Sequence, residues 1–99
     1  MTYLRATVAN WDIDLTSAAG QDMVRQIEEG GVAVFRQQPG FIRYRLMRAD
    51  ARTTIAVAEW ESEDLGRAGA QRYREWMRSS GIMEHLSLRT YDGPVVVAS

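Results

Sequence analysis

The sequence contains no cysteine and no lysine, and it has only two prolines and one histidine. Without cysteine there is no disulfide framework, no thiolate nucleophile and no Cys-ligated zinc. Without lysine no side chain can form a Schiff base or act as an amine base. A single histidine, with no HxxxH or HxxE pattern, leaves no metal-ligand set to expect. Gly30-Gly31 lacks the GxGxxG spacing of a phosphate loop. No apolar run approaches the roughly 20 residues of a membrane span. The opening MTYLRATVANWD lacks a signal-peptide core. Charge of one sign is also missing, because 12 basic residues, all arginine, meet 13 acidic ones for a net charge of −1. Such a balance gives no general attraction to nucleic acid or to an anionic membrane. The expectation is a soluble, cytoplasmic protein with neither as a partner.

What is present is ordinary for a folded chain: 45% hydrophobic and 25% charged residues over 99 positions. That length predicts a single domain, residues 1–99. A domain this small buries only about 60–65% of its unfolded surface, and pairing is a common way to gain stability.

Residues 3–10 alternate as a strand, with Leu4, Ala6 and Val8 on one face and Tyr3, Arg5 and Thr7 on the other. Thr16 or Ser17 can cap a helix over 18–37, whose stripe is Met23, Val24, Ile27, Val34 and Phe35. Gly30 and Gly31 interrupt that stripe, which predicts a kink or a close approach by another group. Pro39-Gly40 turns the chain. A second strand follows over 41–48, with Ile42, Tyr44 and Leu46 opposite Phe41, Arg43, Arg45 and Met47. The third strand, 53–60, completes a hairpin. Ser62 caps a second helix over 63–78, and Ser79-Ser80-Gly81 ends it. A last strand spans about 86–91, Asp92-Gly93-Pro94 turns, and residues 95–98 extend again.

The order β-α-β-β-α-β predicts an α+β, ferredoxin-like fold with an antiparallel sheet. Two helices cover only one sheet face. The bare face, carrying Ile55, Val57, Phe41 and Met47, would pair two copies into a dimeric α+β barrel, a homodimer through the open sheet. Arg43 and Arg45 on that face would need acidic partners, and Glu59 is one candidate.

Pro39-Gly40-Phe41 and Ala58-Glu59-Trp60-Glu61-Ser62-Glu63, with their spacing and a short strand bearing Tyr91, resemble the antibiotic biosynthesis monooxygenase family over residues 3–97. VAEWESED and YREWMRSSGIM look most like cofactor-free oxygenases that turn anthrones or phenols into quinones. The resemblance implies an oxidation by O2 with no cofactor and a small aromatic substrate. It puts Trp60 at a pocket tryptophan and Arg74 at a pocket arginine, the two catalytic candidates. Positions that hold a pocket asparagine and a pocket tyrosine in those oxygenases are Ala56 and Gly66 here. Tyr44, Tyr73 and Trp76 join Ala56 and Gly66 as substrate-binding candidates.

The residues themselves support a cavity reading. Ala56 and Ala58 beside Trp60, with Gly66, Gly69 and Ala70 on the facing helix, leave space between sheet and helices. Close helix packing around a core Trp60 is the competing reading. His85 is a candidate base at neutral pH or an exposed loop residue. The alternatives to an oxygenase are a non-catalytic ligand-binding or interaction dimer and, with heme as its cofactor, a heme-degrading monooxygenase.

Overall fold

The computed structural model describes residues 1–99. Its sheet has four strands: β1 (Tyr3–Trp11), β2 (Phe41–Asp50), β3 (Thr53–Trp60) and β4 (Leu86–Pro94). They lie in the order β2-β3-β1-β4, and every neighbouring pair is antiparallel. The helical layer holds α1 (Ala18–Gln26), a π turn (Ile27–Gly31), α2 (Val32–Arg36) and α3 (Glu63–Ser79). A 3-10 turn (Ile82–His85) leads into β4. The expected ferredoxin-like α+β fold is what the chain adopts.

Local chemistry sets the helix starts. The Ser17 hydroxyl accepts a hydrogen bond from the Gly20 amide at 3.1 Å, so Ser17 rather than Thr16 is the cap. The Ser62 hydroxyl accepts one from the Leu65 amide at 3.3 Å and opens α3 beside Glu63 and Asp64. Gly40, at φ +79°, makes the turn into β2.

The glycine interruption proves to be both a bulge and a close approach. At Gly30 a Cβ would lie 2.8 Å from Trp76 Cζ2, and at Gly31 one would lie 2.9 Å from Tyr73 Cε1. The helical chain widens into a π turn where the rings of α3 press against it.

Two strand readings are corrected. A register shift between Phe41 and Arg43 moves Phe41 onto the helix side, where it packs with Phe35 and Trp60. The cause is a β-bulge at Ile42, since one extra residue reverses the alternation. The open face therefore carries Ile55, Val57 and Met47 without Phe41, together with Leu4, Ala6, Val8 and Tyr91. No turn forms at Asp92-Gly93-Pro94. β4 runs through it, with Pro94 opposite Tyr3, and the Val95 amide still donates to the Thr2 carbonyl. An edge strand has a free side on which a missing N–H does no harm.

Glu59 does meet Arg43, but within the same chain, at 3.3 Å, and it also accepts from Thr2.

Candidate active site

The layer between sheet and helices holds two buried clusters instead of one. Ala9, Trp11, Leu15, Ile27, Met77 and Ile82 form the first, and Tyr3, Phe35, Ala58 and Trp60 the second. Most small domains have one contiguous core. Tyr44 and Tyr73 pack against both, and members of both clusters line a cavity. Small side chains at the sheet centre are the reason. Register places Ala56 between Thr7 on β1 and Leu46 on β2, with Ala58 and Ala9 nearby and Ala70 on the α3 side.

The space open to the centre of a water molecule is about 80 Å³. A site needs roughly 10–15 Å³ to hold a single water, and this space is well above that threshold. The wall is mainly apolar, and its polar members are Arg5, Arg74, Thr7, Thr54 and Thr90. No Asp, Glu or His lines it.

Trp60 is fully buried at the end of β3, and its indole Nε1–H has no hydrogen-bond partner. An unmet buried donor costs about 1–3 kcal/mol. Trp11, which also lines the cavity, makes the contrast: its Nε1 donates to Thr54 Oγ1 at 3.0 Å. Phe35 and Phe41 meet the Trp60 ring edge-on at 5.7 and 5.4 Å.

Tyr44 and Tyr73 both line the cavity. Phe35 stacks on Tyr73 at 4.2 Å and fixes its ring. Burial raises the Tyr44 hydroxyl above the ordinary phenol range of 10.0. Burial raises Tyr73 much further, and the neighbouring Tyr44 adds to it. Both phenols keep their protons at any working pH and act as donors, never as bases.

Arg74 lines the cavity half-exposed, and its nearest partner is the Gln71 amide oxygen at 3.4 Å. Two other arginines of the helix pair with acids, Arg67 with Glu63 and Arg72 with Glu75, while Arg78 near its end pairs with none. Arg74 has no carboxylate and stays available to an anion.

Of the sequence candidates, Trp60, Arg74, Tyr44, Tyr73 and Ala56 therefore share one cavity. Gly66 does not line it. A Cβ at Gly66 would lie 3.1 Å from Trp60 Cγ, and one at Gly69 would lie 2.0 Å from Trp60 Cη2. These glycines let α3 close on the indole, so the room they leave is filled by Trp60 itself. Trp76 also lies off the cavity, against the π turn and an outer groove with Gln37 and Arg72. His85 sits in the 3-10 turn, its Nδ1 3.1 Å from Asp12 Oδ1, and is not on the cavity wall. No three residues among His, Asp and Glu converge as metal ligands.

Sequence reasoning passed over Arg5. It lies on the helix-facing side of β1, its side chain only 15% exposed, and pairs with Asp92 at 2.9 Å. The signal was its alternation with Tyr3 and Thr7 on the face that proves to be buried.

The family model for antibiotic biosynthesis monooxygenase matches residues 8–81. Among solved structures, the fold resembles SnoaB, a cofactor-independent oxygenase from Streptomyces nogalater. The TM-score is 0.77 at 13% identity, covering 98% of this chain and 95% of that one. It also resembles the monooxygenase from the gene ActVA-Orf6 of Streptomyces coelicolor, solved with nanaomycin D. There the TM-score is 0.71 at 20% identity, covering 97% of this chain and 89% of that one. A dimeric ferredoxin-like protein from an uncultured marine organism gives 0.75 at 12% identity, with coverage of 99% and 98%. At such identities the likeness is one of fold. No curated protein matches the chain.

Proposed function

Because the chain belongs to the antibiotic biosynthesis monooxygenase family, we propose that its cavity oxidises an anthrone- or quinol-like aromatic with O2 to a quinone, without a cofactor. One observation carries this reading: a fully buried tryptophan whose indole N–H has no partner is among the residues of an apolar wall that also bears an arginine free of any carboxylate. SnoaB, of similar fold, is a cofactor-independent oxygenase, which supports the same reading.

The chemistry follows from what the wall supplies. The cavity has no group to serve as base, so the substrate must be acidic enough to lose its proton to water. Arg74 stabilises the resulting enolate or phenolate, and the Trp60 Nε1–H donates to its oxygen. The anion passes one electron to O2, giving a substrate radical and superoxide. Their recombination forms a carbon–oxygen bond and a peroxide. Loss of water breaks the O–O bond and leaves the new carbonyl. For an anthrone, CH2 and O2 become C=O and H2O. Tyr44 and Tyr73, held as protonated phenols, orient ring oxygens, and the apolar wall keeps bulk water from the intermediates. Ala56 leaves the space beside Trp60 that the ring occupies. Within this geometry a heme-degrading reading has no histidine on the cavity wall to ligate iron.

The test is O2 uptake by chelator-treated protein with 1,8-dihydroxy-9-anthrone. Uptake matched to quinone formation is expected, and Arg74→Gln slows it roughly 10- to 100-fold, the worth of a charge-assisted hydrogen bond. No uptake above the spontaneous rate, or an Arg74→Gln variant as fast as the parent, contradicts the assignment and favours a non-catalytic binding dimer.

The same reading includes a homodimer. Ile55, Val57, Leu4 and Val8 form an apolar centre on the uncovered sheet face, with Met47 and Tyr91 more than half exposed beside it. A protein of similar fold is described as a dimeric ferredoxin-like protein, which supports pairing. Sedimentation equilibrium should give twice the 11.2 kDa chain mass. Val57→Glu should give the single mass, and a parent protein that sediments as a monomer contradicts the pairing.

A further inference from the structure

Arg5 is a largely buried cation that the proposed oxidation does not use. Its guanidinium carries five N–H donors in a planar fork. One of them reaches Asp92 Oδ2 at 2.9 Å, and the side chain makes no other hydrogen bond to protein. Yet Arg5 lines the cavity, alongside Arg74, on a wall that holds no carboxylate.

The surroundings are built to hold this fork still. Asp92 stands directly across from Arg5 in the register of β1 and β4. The Tyr3 hydroxyl holds the Asp92 carboxyl below its ordinary value of 3.8, so it stays ionised at neutral pH. Tyr3 in turn is anchored in the second buried cluster. Two residues further along the same face, about 7 Å away on a strand, Thr7 and Thr90 stand opposite one another and also line the cavity. A guanidinium and two hydroxyl-bearing residues along one strip of the cavity wall match a planar, monovalent oxyanion.

Resting on the oxygenase reading, we infer that the substrate carries a carboxylate, which binds at Arg5, Thr7 and Thr90 while its oxidised ring lies against Trp60 and Arg74. Arg5 is thus a specificity residue: it selects aromatic acids over neutral aromatics of the same shape.

The test compares 2,5-dihydroxybenzoate with its methyl ester, which removes this charge and adds one methyl group. Binding is read from quenching of tryptophan fluorescence, since Trp11 and Trp60 wall the cavity, and turnover from O2 uptake. The acid is expected to bind about tenfold more tightly than the ester. Arg5→Gln combined with Asp92→Asn, which leaves neither charge unpaired, should bring the two to within about twofold. Should that pair of changes unfold the chain, Thr90→Val on the exposed edge strand should cost the acid alone about threefold. Equal binding of acid and ester, an equal loss of both in the variants, or no binding of the acid at millimolar concentration overturns the inference. An acid preference without O2 uptake from any quinol upholds the anion site and removes the oxygenase. Uptake from acid and ester alike, with no preference, does the reverse.

Discussion

Trp60→Phe should lower kcat/KM for anthrone oxidation by about 100-fold, the usual worth of one preorganised donor at a developing oxyanion. The substitution keeps an aromatic ring between Phe35 and Phe41 and removes the Nε1–H. That donor has no protein partner, so its loss breaks no hydrogen bond in the folded chain. The stability cost is then limited to the space left by the smaller ring, about 1–3 kcal/mol at a fully buried site. Activity and stability therefore part company. Steady-state kinetics beside a thermal melt separates the two outcomes. A large loss of melting temperature with normal kcat/KM would make Trp60 a packing residue and nothing more.

The second large effect falls on stability. Gly69→Ala puts a methyl carbon 2.0 Å from Cη2 of the fully buried Trp60, far inside contact distance, so ring or helix must shift. Overpacking costs about 1–3 kcal/mol and occasionally more, and this contact belongs at the upper end. For a domain near 100 residues, roughly 4–8 °C is lost per kcal/mol. A fall in Tm of more than about 10 °C is expected. The cause can be isolated by a double change. Trp60→Phe withdraws the clashing ring atoms, so Gly69→Ala should cost much less in that background. A Tm unchanged by Gly69→Ala, or no relief in the double variant, would mean that α3 sits further from the sheet than described.

Much of this layout was legible from period and punctuation. Strand alternation, the Ser62 cap and the Pro39-Gly40 turn locate the elements. Alternation also puts Trp60, Ala56 and Ala58 on one face. What escaped has identifiable physical causes. A β-bulge adds one residue without leaving a mark in composition, so Phe41 was assigned to the wrong face. Pro94 reads as a break unless the strand is known to lie at the sheet edge. Small residues announce missing volume without saying what fills it. At Gly66 and Gly69 it is the indole of Trp60, whereas at Ala56 and Ala70 it is open space. Trp76 shares a helix with Tyr73 yet turns toward the π turn, which a plain helical wheel does not foresee. Arg5 was passed over because an arginine on a strand reads as solvated. Its burial depends on Asp92, 87 positions away in sequence.

The position of a bound ring is the most direct check on the whole account. With 1,8-dihydroxy-9-anthrone at saturation, proton–proton nuclear Overhauser effects should link its ring protons to the methyl groups of Ala56 and Ala58. Contacts to Ile55 and Val57 instead, or to no methyl at all, would place the aromatic on the open sheet or nowhere, and the cavity would lose its claim to be the reaction chamber.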